Sequence, residues 1–184
     1  MSGPMPANTT RNRMIGFAIA AVIFVVDQWL KWLVDGPLGL KRIGDQLELI
    51  PFFDFTRVHN YGVSMGMLQA DSPEMRWGLV AVTAAIAIAV AVYMFFQRRF
   101  IDILPLALVL GGALGNIVDR FRWGYVLDYA DFHIGTFRPF LIFNLADAAI
   151  TIGVVILLAT SLFMGEKPDD DAAEASEASP KETT

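Results

Sequence analysis

The sequence predicts an all-α membrane protein built on four transmembrane helices, and three observations carry that prediction. Hydrophobic residues make up 55% of the 184 residues and charged residues only 18%, far from the balance of a soluble domain. Four apolar runs, residues 14–34, 77–96, 103–118 and 140–164, are 21, 20, 16 and 25 residues long, and about 20 residues of helix cross a bilayer core. The acidic excess lies outside these runs. After Gly165 seven acids face two bases, so the net charge of −5 belongs to the tail and residues 1–165 balance to zero. Backbone groups in hydrocarbon must be satisfied within the spanning structure, and runs this long are helices, not barrel strands.

Residues 1–13 are polar, with Arg11 and Arg13 just ahead of the first run. A basic flank before an apolar stretch also fits a signal peptide. No small-x-small cleavage site follows Val26, however, and the chain continues DQWLKWLV, so a retained helix is expected. Residues 35–76 are too long for a turn. LELIPFFDFTRVHNYG reads as one or two short extended segments rich in β-branched and aromatic residues, with Pro51 limiting the first. Residues 62–68, apolar and small, suit a short helix lying in the interface. The second run ends at Gln97-Arg98-Arg99, the third lies between Asp102 and Asp119-Arg120, and the fourth holds Asn144 and Asp147.

Four spans place both ends of the chain on one side. The tight pairs Arg11/Arg13 and Arg98/Arg99 beside span ends point to the cytoplasm for that side. The tail is rich in Asp, Glu, Ala and Ser and reads as disordered. The organisation expected is therefore an N-terminal segment 1–13, a membrane domain 14–164 and an acidic tail 165–184.

Composition also removes classes of function. Without cysteine there is no disulfide, thiolate nucleophile or Cys-based metal site. Only His59 and His133 are present, so a metal would have to be held by oxygen ligands; no cofactor or metal is expected. No broad basic surface for nucleic acid is visible. His59, in a loop-like stretch, reads as structural.

Residues 111–151 concentrate the polar chemistry: Asn116, Asp119, Arg120, Asp128, Asp131, Asn144 and Asp147. Ionisable groups at membrane depth are costly and mark function by default. Asp27 and Lys31 share a face at i, i+4 and read as an ion pair near the membrane surface, with Lys31 snorkelling outward or serving a site directly. Gly111 and Gly115 form a small-xxx-small packing pair. Asn116 and Arg120 are again i, i+4. Asn144 and Asp147 are i, i+3, with Asp147 roughly 10 Å inside a helix starting at Phe140. The third run ends and the fourth begins on one side, so a loop aspartate can face Asp147. Two carboxylates in a low-dielectric site cannot both ionise easily, which is the requirement of aspartic proteolysis. Spacing alone leaves Asp128 and Asp131 both open for the loop role.

DQWLK, TRVHNYGVSMGML, GGALGNIVDR, GYVLDY and FNLADAAI, in that order, resemble the bacterial lipoprotein signal peptidases (signal peptidase II), over residues 14–164. The resemblance implies a four-helix inner-membrane aspartyl protease with both termini cytoplasmic and the active site towards the extracytoplasmic face, where a small β-cradle and an interfacial helix would lie. It implies removal of signal peptides from prolipoproteins, immediately before a diacylglyceryl-modified cysteine. The partners it implies are lipid-modified prolipoproteins and membrane lipids, with a monomer expected. Asp128 and Asp147 match the catalytic aspartates. Asp27, Lys31, Asn60, Asn116, Arg120 and Asn144 fall in the motifs as substrate-binding or supporting residues. The chain departs from the pattern at Met65, where an aromatic residue is usual nearby, and at Tyr129, where Phe is usual. A proton- or ion-coupled carrier relaying through Asp147 and Asp27 is the reading from another class. Against it, the polar residues gather at one membrane face and the second run holds only Thr83. A non-catalytic assembly protein would leave the paired acids unexplained.

Overall fold

The computed structural model describes residues 7–62 and 72–163. Four helices, α1 (Ala7–Asp35), α2 (Pro73–Phe96), α3 (Phe100–Trp123) and α4 (Leu145–Phe163), are each long and apolar enough to cross a membrane. Three strands, β1 (Gln46–Ile50), β2 (Phe53–Asn60) and β3 (Val126–Phe132), form one antiparallel sheet in that order. The expected helical membrane fold with a small β element is thus observed. The expected interfacial helix falls, after Gly62, outside the described residues, as does the tail.

α3 is the central helix, packed against the other three. Half of its apolar window is buried, against 17–22% of the other three windows. A helix surrounded in this way must shed bulk, because lipid and protein are equally apolar and close packing drives association. A Cβ on Gly111 would lie 2.6 Å from the Ala20 carbonyl of α1, and one on Gly115 would strike the Asp27 carboxylate. The expected packing role of this glycine pair is therefore observed, and it brings α1 close at both levels. Between the helices lies a core of Ala20, Ala87, Met94, Ile103, Leu106, Ala107 and Leu110. Outward-facing side chains such as Val22, Val25, Ile86, Ile88, Val155 and Leu158 are exposed, as a lipid-facing surface requires.

The helix bounds differ from the apolar runs for physical reasons. α1 begins at Ala7, because hydropathy marks the membrane-embedded part of a helix and not its polar extension. α3 runs on to Trp123 and ends at Gly124 in the left-handed conformation (φ 84°), so Asp119 and Arg120 lie inside the helix and do not bound it. α4 begins at Leu145, not Phe140. Phe143 instead pairs with Ala130 of β3 as an isolated bridge. A short apolar stretch does not by itself distinguish extended chain from helix.

Arg13 Nε donates to the Gln97 carbonyl at 2.9 Å and Asn12 to the Arg98 carbonyl at 3.0 Å, placing the start of α1 beside the α2–α3 turn. The sheet occupies the opposite end, where α1 and α3 finish and α4 begins. A second core of Val34, Leu40, Leu127, Tyr129 and Ala130, flanked by Leu30, Phe53 and Phe55, fastens it to α1.

Candidate active site

The first backbone N–H groups of a helix have no partner within it, and at α4 three of them are met by three different segments. Leu145 N donates to the Tyr129 hydroxyl of β3 at 3.3 Å, Ala146 N to Asp27 Oδ1 of α1 at 3.0 Å, and Asp147 N to Asn144 Oδ1 at 2.9 Å. Asp147 returns the last contact, its Oδ2 accepting from Asn144 N at 3.3 Å. This reciprocal cap sets Asp147 in the first turn of α4 and corrects the expected position roughly two turns inside a helix begun at Phe140. Asn144 is accordingly the cap and not a residue of the helix.

Asp128 stands on β3 opposite Val58, on a strand and not in the loop expected from its neighbours. It is 3% exposed. Its Oδ2 accepts from Asn60 Nδ2 at 3.1 Å and its Oδ1 from Asn144 Nδ2 at 2.6 Å. Asp147 Oδ1 accepts from Asn116 Nδ2 at 2.8 Å. Asn144 therefore touches both acids. Each amide is turned by what its carbonyl accepts: Asn60 from Gly62 N at 3.1 Å, Asn144 from Asp147 N, and Asn116 from Lys31 Nζ at 3.2 Å and Asn144 Nδ2 at 3.3 Å. An amide with its oxygen so engaged must present its NH2 group. Three asparagines thus aim donors at two carboxylates. Burial, and then the nearby charge of Asp147, push the Asp128 carboxyl up to about 7.

Lys31 does not snorkel. It is fully buried, 2.8 Å from Asp27 Oδ2 and 2.7 Å from Asp119 Oδ2, both also fully buried. Snorkelling needs a path to the headgroups; here two carboxylates and an amide hold the ammonium inside. Asp119 also accepts from Gln28 Nε2 at 2.8 Å. Gln28 carries no sequence signal for the site, and Asp119, though among the polar residues of 111–151, has no role assigned by the motifs. The available signal was Asp119 standing three residues beyond Asn116 on one helix face. Arg120 is buried and donates from Nη2 to the Gly62 carbonyl at 2.8 Å, tying α3 to the end of β2.

The structure places Asp131 away from this site. Three residues beyond Asp128 on one strand, it points to the opposite face. Arg138 contacts its two oxygens from Nε and Nη2 at 2.9–3.2 Å, and Thr56 Oγ1 donates to it at 3.1 Å. Burial works against its charge, yet these bonds hold its carboxyl below the ordinary value. His59 stacks on Tyr125 (3.7 Å between centroids) and bonds to Arg57 Nε at 3.0 Å, a structural placement as expected. Asp27, Lys31, Asn60, Asn116, Arg120, Asp128, Asn144 and Asp147 all gather at one end of the bundle.

The family model described as signal peptidase (SPase) II matches residues 19–163. The chain belongs to the signal peptidase II family. A lipoprotein signal peptidase of Sphingopyxis alaskensis is 54% identical over 152 residues, covering 83% of this chain and 87% of that one. One of Rhizorhabdus wittichii is 50% identical over 155 residues, covering 84% and 90%. Among solved structures, a bacterial membrane enzyme determined by the in meso method at 2.3 Å resolution superposes with a TM-score of 0.70. It is 30% identical and covers 92% of this chain and 94% of its own. The part matched to signal peptidase II contains every candidate residue named above, from Asp27 to Asp147.

Proposed function

We propose that Asp128 and Asp147 are the catalytic pair of this signal peptidase II, a membrane aspartic endopeptidase that removes signal peptides from diacylglyceryl-modified prolipoproteins immediately before the modified cysteine. The observation that carries the reading is Asn144, one buried residue that meets both carboxyls: its side-chain amide donates to Asp128 and its backbone N–H to Asp147. Two carboxyls so placed share one proton. Asp147 lies at the N-terminus of α4, where the helix dipole and the Asn116 and Asn144 donors favour negative charge. Asp128, buried and facing that charge, keeps the proton.

The chemistry follows from that asymmetry. Asp147 takes a proton from a water molecule as its oxygen attacks the scissile carbonyl carbon, while Asp128 donates a hydrogen bond and then its proton to the carbonyl oxygen. The tetrahedral diol collapses as one hydroxyl proton returns to Asp128 and the cysteine nitrogen takes the proton held by Asp147. The C–N bond breaks to give a carboxylic acid and an amine, and the pair is left as it began. Asn60, Asn116 and Asn144 orient the carboxyls, and Arg120 holds the Gly62 end of β2 beside them. Asp27 and Lys31 support α4 and α3 from behind. Substrate and membrane lipids are the partners, the diacylglyceryl anchor keeping the scissile bond at the bilayer interface. The protein acts as a monomer.

The chain sits in the inner membrane with both ends cytoplasmic and the site towards the extracytoplasmic face, a reading supported by Arg11, Arg13, Arg98 and Arg99 at the end opposite the sheet. Residues 14–164 form the peptidase domain, between a cytoplasmic segment 1–13 and a tail 165–184. Cleavage of a lipid-modified prolipoprotein by the purified protein tests the activity, and no cleavage would sink it. Reporter fusions at Gly44 and Gln97 test the orientation. A reporter active only in the cytoplasm that works at Gly44 would reverse it.

A further inference from the structure

We propose that Lys31 is a positioning residue for proteolysis: its ammonium fixes the side-chain amide of Asn116 so that the NH2 edge faces Asp147. The inference rests on Asp128 and Asp147 being the reacting pair. Lys31 touches neither of them. Its Nζ has three acceptors in reach, Asp27 Oδ2 at 2.8 Å, Asp119 Oδ2 at 2.7 Å and Asn116 Oδ1 at 3.2 Å, and an ammonium has three protons and no acceptor capacity. The first two contacts neutralise buried charge. The third does something else.

An asparagine amide can turn over about its last torsion, exchanging oxygen for nitrogen with almost no change of shape. Turned over, Asn116 would set its oxygen against Asp147 Oδ1 and its NH2 against the ammonium, two repulsive contacts in place of two attractive ones. The other restraint is weaker: Asn144 Nδ2 reaches Asn116 Oδ1 at 3.3 Å while giving its shorter bond, 2.6 Å, to Asp128. Lys31 is thus the charged group that decides which edge of Asn116 the reacting carboxylate meets. Its own position is over-determined. Asp27 is held by Ala146 N of α4, and Asp119 by Gln28 Nε2 of α1 and Leu127 N of β3. The charged and titratable groups around this relay are Asp27 on α1, Asp119 and Arg120 on α3, Asp128 and Tyr129 on β3, and Asp147 on α4.

A purely structural lysine would neutralise Asp27 and Asp119 and have no separate effect through Asn116. The test uses the full-length protein and a lipid-modified prolipoprotein, comparing wild type, Lys31→Met, Lys31→Met with Asp119→Asn, Asn116→Ala, and Asn116→Ala combined with each lysine variant. The double change removes one charge of each sign and keeps the protein measurable if Lys31→Met alone does not insert, with Asp119→Asn as its reference. Loss of Lys31 is expected to lower kcat by about tenfold or more, since slight misplacement can cost on the order of 10²-fold, with KM unchanged. The acidic limb of the rate profile should move to higher pH, because an Asn116 free to turn favours the protonated form of its neighbour. In the Asn116→Ala background the same lysine change should cost nothing further in kcat. An equal loss in that background, an unmoved acidic limb, or an unchanged kcat would each overturn the positioning role. Inactive wild type, or an active Asp147→Asn, would instead overturn the catalytic pair.

Discussion

Asn144 and Asp147 cap one helix reciprocally, Asn144 Oδ1 accepting from Asp147 N at 2.9 Å and Asp147 Oδ2 accepting from Asn144 N at 3.3 Å. The capping residue is also the one that reaches Asp128, so the start of α4 and the geometry of the acid pair are one arrangement. Replacing Asn144 by Ala should therefore cost in two ways. Loss of the cap should lower stability by about 1 kcal/mol, and loss of the amide that donates to the Asp128 carboxyl should reduce turnover by on the order of 10²-fold. Thermal unfolding and turnover in the same detergent check both. Lost stability with wild-type turnover would separate the cap from the chemistry.

Asp27→Ala should damage folding and placement more than chemistry. Lys31 keeps Asp119 as a partner at 2.7 Å, so the loss is smaller than that of leaving a buried charge alone. What is left unmade is the acceptor for Ala146 N at the start of α4. An unsatisfied buried donor costs about 1–3 kcal/mol. The expected outcome is a lowered unfolding temperature with residual cleavage well above that of a pair mutant. Unchanged stability with turnover as low as in Asp147→Asn would make Asp27 a reacting group.

The raised carboxyl of Asp128 predicts a pH dependence of stability with a definite sign. Its value in the fold, about 7, lies above the ordinary carboxyl value of 3.8, so the folded state binds the proton more tightly than the unfolded chain. That contribution is fully present below about 4 and is lost as pH rises towards 7 and beyond. Asp128→Asn, which cannot ionise, should thus gain stability relative to wild type at pH 8 and gain little or none at pH 4. Unfolding midpoints at the two pH values measure the difference. An equal effect at both would show that Asp128 is not held protonated. Turnover should correspondingly fall on the alkaline side as the shared proton is lost, with the two limits belonging to the pair.

The bundle was legible in the sequence because bilayer thickness dictates a length and composition that nothing else in the chain imitates. Its helix ends were less so. Residues 140–143 are as apolar as the helix that follows, yet Phe143 pairs with β3 and the helix starts only at Leu145. Of the site, Asp128 and Asp147 were marked by motif and by the cost of burying acids. Spacing alone could not separate Asp128 from Asp131; the alternation of a strand does, once β3 is known to be a strand. Lys31 shares a helix face with Asp27, for which an ion pair near the surface is the ordinary result. Its second partner, Asp119, lies 88 positions further along the chain on α3, and helical spacing says nothing about contacts between helices. Tyr129 gains a role only in three dimensions, where its hydroxyl meets the first N–H of α4.

The most direct test of the account compares Asp128→Asn, Asp147→Asn and Asp131→Asn, each folded and inserted, on one lipid-modified prolipoprotein in one detergent. An amide preserves the size of the acid but can neither act as the base nor cycle a proton. Asp128→Asn and Asp147→Asn should each lose roughly 10³-fold or more in turnover, and the double variant should be scarcely worse. Asp131→Asn weakens the contact with Arg138 on the far face of β3 and should lose stability while keeping substantial activity. Near wild-type cleavage by Asp128→Asn or Asp147→Asn, or an inactive but stable Asp131→Asn, would contradict the assignment of the reacting pair.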